Sequence, residues 1–378
     1  MGKEKLDDIR VRLDEVDDKI LEAVAERQRL IEQVAKLKAE GSVKLRDLLR
    51  EEAQLSRLSD LARARGLSAY FVKRLFRELL DYSVRFQTHH LVDSQNPDRK
   101  QRKVVVAYQG TDGAYSQMAA ERHFAGWDGE TETLGCESFL AVLESVVNGA
   151  ADYGMLPVEN TTAGSITDAF DLLAQTTLSA VGEEVLKVEH CLVALQDVDP
   201  SQIRRVFSHP QALAQCSVFL GGLSDCRVES FTDTAMSVEK VRDEGDPHQA
   251  AIASERAAAT YGLQVIARDI ANQQQNYTRF LVVARKPLRV DERIDCKTSL
   301  IFSTRHEQGA LVRCLNVLAD RGLNLTKLES RPRLHSPFEY LFYVDFEGNV
   351  ESEEVQKALE DMRAHTGSLK VLGSYPRT

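Results

Sequence analysis

The sequence predicts a multidomain chain: an all-α segment, then an α/β segment, then a small segment of mixed strands and helices. Three observations carry this. Residues 6–92 contain no proline and repeat their apolar residues at heptad-like spacing. At Val104 the apolar period changes to that of a buried strand, and strand-like and helical stretches then alternate to about Arg285. Residues 297–378 read strand–helix–strand–strand–helix–strand.

In the first segment Leu6, Ile9, Leu13, Val16, Ile20 and Ala23, then Leu30, Val34 and Leu37, form one stripe. This predicts a single long helix ending near Gly41. A second helix is expected from Asp47 to Arg65, stopped by Gly66. Ser68 is the expected N-cap of a third, which carries Phe71, Val72, Leu75, Phe76, Leu79 and Leu80. Residues 93–103 are polar, include Pro97 and read as a linker. Val104–Tyr108 then reads as a strand, Gly110 and Gly113 as a turn, and Ser116–Phe124 as a helix. Lys286-Pro287 opens a second linker. The final pieces are 299–304, 309–321, 324–331, 340–347, 352–366 and 369–375, an order that matches the ferredoxin-like arrangement. The expected domains are 1–92, 104–285 and 297–378.

The net charge of −10 argues against nucleic acid or an anionic membrane as a partner, while leaving room for a local cationic pocket. No stretch approaches the roughly 18 apolar residues a membrane helix needs, and the charged N-terminus has no signal-peptide core. The expected location is the cytoplasm. The six cysteines, Cys136, Cys191, Cys216, Cys226, Cys296 and Cys314, are scattered, as expected of reduced thiols. No His, Asp or Glu cluster has metal-ligand spacing, so neither metal nor cofactor is expected.

Arg27 falls on the apolar stripe of the first helix, where a charge is costly unless paired. A buried Arg–carboxylate pair or a snorkelling side chain would explain it without a ligand. Lys38 lies eleven residues on, within roughly 20° of the same face and about 16 Å along the axis, so the two can grip one small anion. Arg10 lies seventeen residues before Arg27, roughly 25 Å away along a straight helix. It can join the same ligand only from a second chain, which hints at an intertwined dimer. Asp47, Arg50 and Glu51 open the second helix, and Ser83 and Gln87 share a face of the third.

With these residues the segment resembles the all-helical chorismate mutase domain of the bifunctional chorismate mutase–prephenate dehydratases. The resemblance covers Arg10, Arg27, Lys38, Asp47, Arg50, Glu51, Ser83 and Gln87 without a gap. It implies that Arg27 and the partner chain's Arg10 hold carboxylates, that Lys38 and Gln87 donate to the ether oxygen, and that Glu51 binds the ring hydroxyl. Asp47, Arg50 and Ser83 would shape the site. The reaction is a pericyclic shift, so catalysis means holding the reactive conformer and stabilising charge on the breaking ether oxygen.

Four patches stand out in the middle segment: Gly110–Ser116, Asp152–Thr161, Ser208–Cys216 and Asn276–Phe280. Singly, each has an ordinary explanation. Glu159-Asn160 can cap a helix, His209-Pro210 can turn the chain, and Arg279 can make a surface ion pair. In this order they resemble prephenate dehydratase over 104–285, although Thr111 stands where the commoner pattern has proline. The resemblance implies two α/β lobes, periplasmic-binding-protein-like, with the site in the cleft between them. Thr278 would donate or relay a proton to the leaving hydroxyl and Arg279 would anchor a carboxylate. Glu159, Asn160, Thr161, Ser208, His209, Gln215 and Phe280 complete the expected substrate site.

In the last segment Gly309, Ala310, Leu311 and Val312 open a helix, and Glu329, Ser330, Arg331 and Pro332 end a strand. These positions resemble the phenylalanine-binding motifs of an ACT domain, a small amino-acid sensor that pairs side by side. The expected whole converts chorismate to prephenate and prephenate to phenylpyruvate under allosteric inhibition by L-phenylalanine, as a homodimer or higher homo-oligomer. Two rivals remain at this point: a non-catalytic two-lobed receptor, and an enzyme with one live activity.

Overall fold

The structure, a computed structural model, describes residues 2–40, 46–99, 103–127, 129–305, 307–333 and 339–377. The chain divides into two compact units, 1–100 with 291–294, and 101–290 with 295–378.

Among its described residues the first unit holds three α-helices: α1 (Gly2–Glu40), α2 (Leu48–Ala64) and α3 (Ala69–Gln95). The expected end of α1 near Gly41 lies outside the described residues. Asp47 caps α2 by accepting from the Arg50 amide at 3.0 Å, and Ser68 caps α3 by accepting from the Phe71 amide at 3.4 Å. The linker expected at 93–103 starts later, because α3 continues to Gln95 and a 3-10 turn follows at Pro97–Arg99. The second expected linker is not a free spacer either. Arg293 donates to the Lys38 carbonyl at 2.6 Å and Gln95 to Asp291 at 3.0 Å, so 291–294 complete the helical unit.

Ala35, Leu55, Ala62, Val72, Leu91 and Val92 are buried in this unit. The N-terminal part of the α1 stripe is not. Leu6, Ile9, Leu13, Val16 and Ile20 are 47%, 53%, 56%, 49% and 54% exposed. In the single chain this apolar row is left open to water.

The second unit contains three sheets. Strands β1 (Lys103–Gln109), β2 (Glu130–Cys136), β3 (Tyr153–Asn160), β4 (Gly164–Ser165) and β5 (Ser179–Lys187) belong to a first lobe. Between them run α4 (Tyr115–His123), α5 (Phe139–Val147) and α6 (Thr167–Gln175). The chain crosses to a second lobe with β6 (Cys191–Ala194), β7 (Arg205–Ser208), β8 (Arg227–Ser230), β9 (Gln249–Ala253) and β10 (Gln264–Ala267). Its helices are α7 (Pro210–Gln215), α8 (Ser217–Gly221), α9 (Thr234–Glu244) and α10 (Glu255–Tyr261). The chain then returns as β11 (Tyr277–Ala284), inserted between β3 and β5 in the order β2-β1-β3-β11-β5. Residues 188–190 and 268–276 are therefore the two crossings between lobes.

The last sheet, β13-β14-β12-β15, comprises β12 (Cys296–Thr304), β13 (Leu325–Pro332), β14 (Tyr340–Glu347) and β15 (Thr366–Pro376), with α11 (Ala310–Asp320) and α12 (Glu353–His365). One face packs on its helices through Leu300, Phe302, Val344 and Phe346. The other joins the first lobe: Ile301, Tyr343, Leu372 and Tyr375 share a buried cluster with Phe170, Leu173, Ala180 and Leu281. The Tyr343 hydroxyl donates to the Phe170 carbonyl at 2.8 Å. The Lys370 ammonium caps the end of α6 by donating to the carbonyls of Leu173, Ala174 and Thr176.

Gly373 marks the closest approach of the two layers, since a Cβ there would collide with the Ala180 backbone. Gly373→Ala is expected to destabilise the second unit by about 1–3 kcal/mol, the usual cost of overpacking. A lowered thermal unfolding midpoint, followed by calorimetry, checks this.

Candidate active sites

In the helical unit the Arg27 guanidinium donates to the Ser83 hydroxyl at 2.6 Å, and Ser83 donates to the Leu79 carbonyl at 2.6 Å. Among the described residues no carboxylate lies within ion-pair distance of Arg27. Its pKa is lowered by burial, the signature of a cation held partly out of water without a counter-charge. Lys38 is lowered too, first by burial and then by Arg50, with Asp47 and Glu51 acting in the opposite direction. Those four residues therefore share one electrostatic neighbourhood around Lys38. Glu51 accepts from Arg46 at 3.2 Å, and Arg46 also reaches Asp81 at 3.2 Å. Gln87 donates to the Ser83 carbonyl at 3.1 Å, and its buried Oε1 has no partner among the described residues. A buried amide oxygen left this way costs stability unless a ligand or water meets it. Arg10 stays apart: it is exposed, pairs with Asp7 at 3.2 Å and sits far up the same helix.

In the second unit β11 is the strand that matters. Thr278 pairs with Asn160 of β3 across the ladder. Asn160 Nδ2 donates to Thr278 Oγ1 at 3.0 Å and to Asn276 Oδ1 at 2.7 Å. Asn276 Nδ2 donates to Gln215 Oε1 at 3.0 Å, and Gln215 Nε2 donates back to Asn160 Oδ1 at 3.2 Å. Gln215 ends α7 in the second lobe, so this ring of amides closes across the cleft. The orientation of Asn160 is not arbitrary. Its Oδ1 accepts from the backbone amides of Thr162 at 3.0 Å and Ala163 at 2.9 Å, which fixes which end is oxygen. Thr278 Oγ1 therefore faces a donor, and it shares the two Asn160 Nδ2 hydrogens with Asn276 Oδ1 and the Tyr277 carbonyl at 3.2 Å. Among the described residues its own proton has no acceptor, so it is available to a substrate.

Several expected substrate contacts fall elsewhere. Successive side chains of a strand point to opposite faces, so Arg279 faces away from Thr278. Its guanidinium binds Glu183 at 2.8 Å, Asp345 at 2.6 Å and the Tyr375 hydroxyl at 2.9 Å. It is not a carboxylate anchor in the cleft but the centre of a network between β11, β5 and the last sheet. Lys297 adds a second cation on Glu183 at 2.7 Å. Burial alone would raise the Glu183 pKa, but Arg279 and Lys297 outweigh it and hold the carboxyl below its ordinary value. Glu159 shares that face, pairing with Lys327 at 3.2 Å.

Ser208 is fully buried and donates to the Ile252 carbonyl at 2.6 Å, so it is structural. Phe280 is fully buried in the core. Thr161 bonds the Gln275 carbonyl at 3.0 Å and the Tyr277 amide at 2.9 Å, fastening β3 to the return crossing. His209 is exposed and accepts from the Gln211 amide at 3.2 Å as the cap of α7. Of the expected set, Thr278, Asn160 and Gln215 converge. The convergence also includes Asn276, Thr162 and His190, which sequence reasoning left without a role. Asn276 opens one of the noted patches and Thr162 adjoins another, whereas a lone histidine before Cys191 gives no such signal.

In the last domain a cavity of about 550 Å³ is lined by Gly309, Ala310, Leu311 and Val312 together with Thr304, Arg305, Glu307 and Gln308. The second expected motif does not reach it within one chain. Glu329 accepts from Ser165 at 2.7 Å and Arg331 binds Asp171 at 2.9 Å, while Ser330 and Pro332 are exposed on the edge strand β13.

Comparison with known proteins identifies both catalytic domains. The family model for chorismate mutase type II matches residues 9–88, and that for prephenate dehydratase matches 106–288. The bifunctional chorismate mutase/prephenate dehydratase of Enterobacter agglomerans is 41% identical over 368 residues, covering 97% of this chain and 95% of its own. A prephenate dehydratase from Arthrobacter aurescens, solved with L-Phe, is 29% identical with a TM-score of 0.66, covering 72% of this chain and 90% of that one. A structure described as a novel type of quorum quenching acylase is 33% identical with a TM-score of 0.66, covering 72% of this chain and 98% of that one. With two catalytic domains in the same order and 41% identity over nearly its whole length, the chain belongs to the bifunctional chorismate mutase/prephenate dehydratases and carries both activities.

Proposed function

We propose that this enzyme makes phenylpyruvate from chorismate in the cytoplasm under feedback inhibition by L-phenylalanine, as a homodimer or higher homo-oligomer whose α1 helices intertwine. For the mutase step, Arg27 and the partner subunit's Arg10 hold the two carboxylates of chorismate. Lys38 and Gln87 donate to the ether oxygen as the C–O bond breaks. Glu51 takes the ring hydroxyl, and Asp47, Arg50 and Ser83 shape the pocket. The observation that carries this reading is a half-buried Arg27 whose partner among the described residues is a hydroxyl and no carboxylate. The exposed apolar row on α1 supports the partner subunit's contribution.

For the dehydratase step, Thr278 protonates the leaving ring hydroxyl, which departs as water. The C–C bond to the ring carboxylate breaks, CO2 leaves, and its electron pair enters the ring, which becomes aromatic. A threonine hydroxyl is a weak acid. The N–H of Asn160 on Thr278 Oγ1 favours the alkoxide that forms as the proton goes. That hydrogen bond is the observation that carries this half of the reading.

For regulation, L-phenylalanine binds the cavity at Gly309–Val312, with its carboxylate at the start of α11. Glu329–Pro332 of a neighbouring subunit close it where edge strands β13 lie side by side. Asp345, Tyr375 and Lys297 of the same domain hold Arg279 and Glu183, next to Thr278, and this gives the effector mechanical purchase on the dehydratase strand. Inhibition requires phenylalanine to bind one arrangement of these contacts more tightly than the other.

Three outcomes are expected. Lys38→Ala lowers mutase turnover on chorismate about 100–1000-fold, as for loss of one charged donor to a developing oxyanion, while turnover of added prephenate continues. Near-normal mutase activity would remove Lys38 from the site. Thr278→Ala abolishes phenylpyruvate formation from prephenate and spares the mutase; an unimpaired dehydratase would exclude Thr278 as the proton donor. Finally, titrating L-phenylalanine into the intact enzyme lowers dehydratase turnover, and Gly309→Ala raises the concentration required. Indifference to phenylalanine at every concentration would refute the regulatory reading.

A further inference from the structure

The amide ring around Thr278 has one more member, at the outward crossing between the lobes. His190 is 2% exposed, and its Nε2 lies 2.8 Å from Gln215 Oε1. The ring of amides decides what that contact is. Backbone amides fix Asn160 with its nitrogen toward Asn276 Oδ1. Asn276 must then present its own nitrogen to Gln215, which makes the facing Gln215 atom an oxygen. An oxygen that already accepts from Asn276 can receive His190 only as a donor. His190 therefore carries its proton on Nε2. Burial lowers its pKa, with the Gln215 bond opposing, so the ring is neutral and that proton is its only one. Nδ1 faces the Tyr115 hydroxyl at 3.3 Å, and Tyr115 donates to the Glu189 carbonyl at 2.6 Å.

We propose that His190 is a positioning residue of the dehydratase site: its Nε2–H holds the Gln215 amide across the cleft, and through Gln215 and Asn160 it keeps Thr278 Oγ1 as an acceptor whose own proton points to the substrate. Gln215 is the one member of the ring supplied by the second lobe, on a short helix. Its backbone is tied to the return crossing, where the Asn272 amide donates to the Gln215 carbonyl at 2.7 Å, so what His190 adds is the orientation of the side-chain amide. His190 sits where the chain passes between lobes, so it stays beside Gln215 with little dependence on their opening. The proposal rests on Thr278 as the proton donor.

Three single variants of the full-length enzyme test it: His190→Leu, which removes the donor; His190→Gln, whose amide nitrogen reaches the position of Nε2; and His190→Asn, whose amide stops at the position of Nδ1. The dehydratase kcat of His190→Leu is expected to fall roughly 10–100-fold, since a misplacement of about 1 Å near a reacting group costs on this order. KM for prephenate stays close to that of the parent, because His190 does not touch substrate. His190→Gln recovers most of kcat and His190→Asn does not. If His190→Leu is too unstable to assay, the Gln and Asn pair decides alone. Equal kcat in those two, or normal kcat in His190→Leu, overturns the proposal. Thr278→Ala separates the two ideas: a normal dehydratase there sinks the Thr278 reading itself, while a dead Thr278→Ala beside a normal His190→Leu sinks only the role given to His190.

Discussion

The alternation of side chains along one strand organises the second unit. Strand β11 returns from the far lobe and enters the middle of the first sheet, where both neighbours pin its register. Once that register is set, Thr278 must face the amide ring and Arg279 must face the last domain. A one-residue slip would exchange them, putting a guanidinium into the polar ring and a hydroxyl into a charged network. The network penalises that slip heavily. Glu183 is 1% exposed and depends on Arg279 and Lys297 for its charge. Breaking a buried pair of this kind typically costs about 3–5 kcal/mol. A pair of adjacent residues thus joins chemistry on one face to domain assembly on the other.

Much of the architecture was legible in the sequence because it rests on periodicity. The stripe from Leu6 to Leu37, the cap at Ser68 and the strand–helix order after residue 297 are all local signals, and the structure has each of them. The misreadings have a common physical origin. Arg279 and Glu159 lie beside Thr278 and Asn160, which do converge, and sequence proximity cannot tell which side of a strand faces a cleft. That depends on what covers the other side, here a sheet whose strands begin at Cys296. The second linker was misread for a similar reason: Asp291 and Arg293 look like ordinary surface charges until Gln95 and the Lys38 carbonyl meet them. His190 gave no signal at all, because its value comes from Gln215, which lies 25 positions away in sequence.

The two catalytic units arrange the polar groups of their candidate sites differently. In the helical unit Arg27 has no carboxylate within ion-pair distance among the described residues, and the cost of partly burying it is held in reserve for a ligand. In the dehydratase the polar groups around Thr278 are neutral amides that satisfy one another nearly completely. A neutral, closed hydrogen-bond ring resists reorganisation and keeps each amide from flipping. It suits a step in which the direction of a single proton is the main thing to control. A pericyclic rearrangement moves no proton and has no use for such a device.

The last sheet covers an apolar side of the first lobe with Ile301, Tyr343, Leu372 and Tyr375. This has a consequence for synthesis on the ribosome. The first lobe is complete in sequence once Ala284 has been made, yet its cover ends with β15 at Pro376. At about 5–20 residues per second, the nascent lobe waits several seconds or more with Phe170, Leu173 and Leu281 open to water. During that interval it is a natural client for chaperones, and a ribosome stalled near the end of the message would release a chain prone to aggregate.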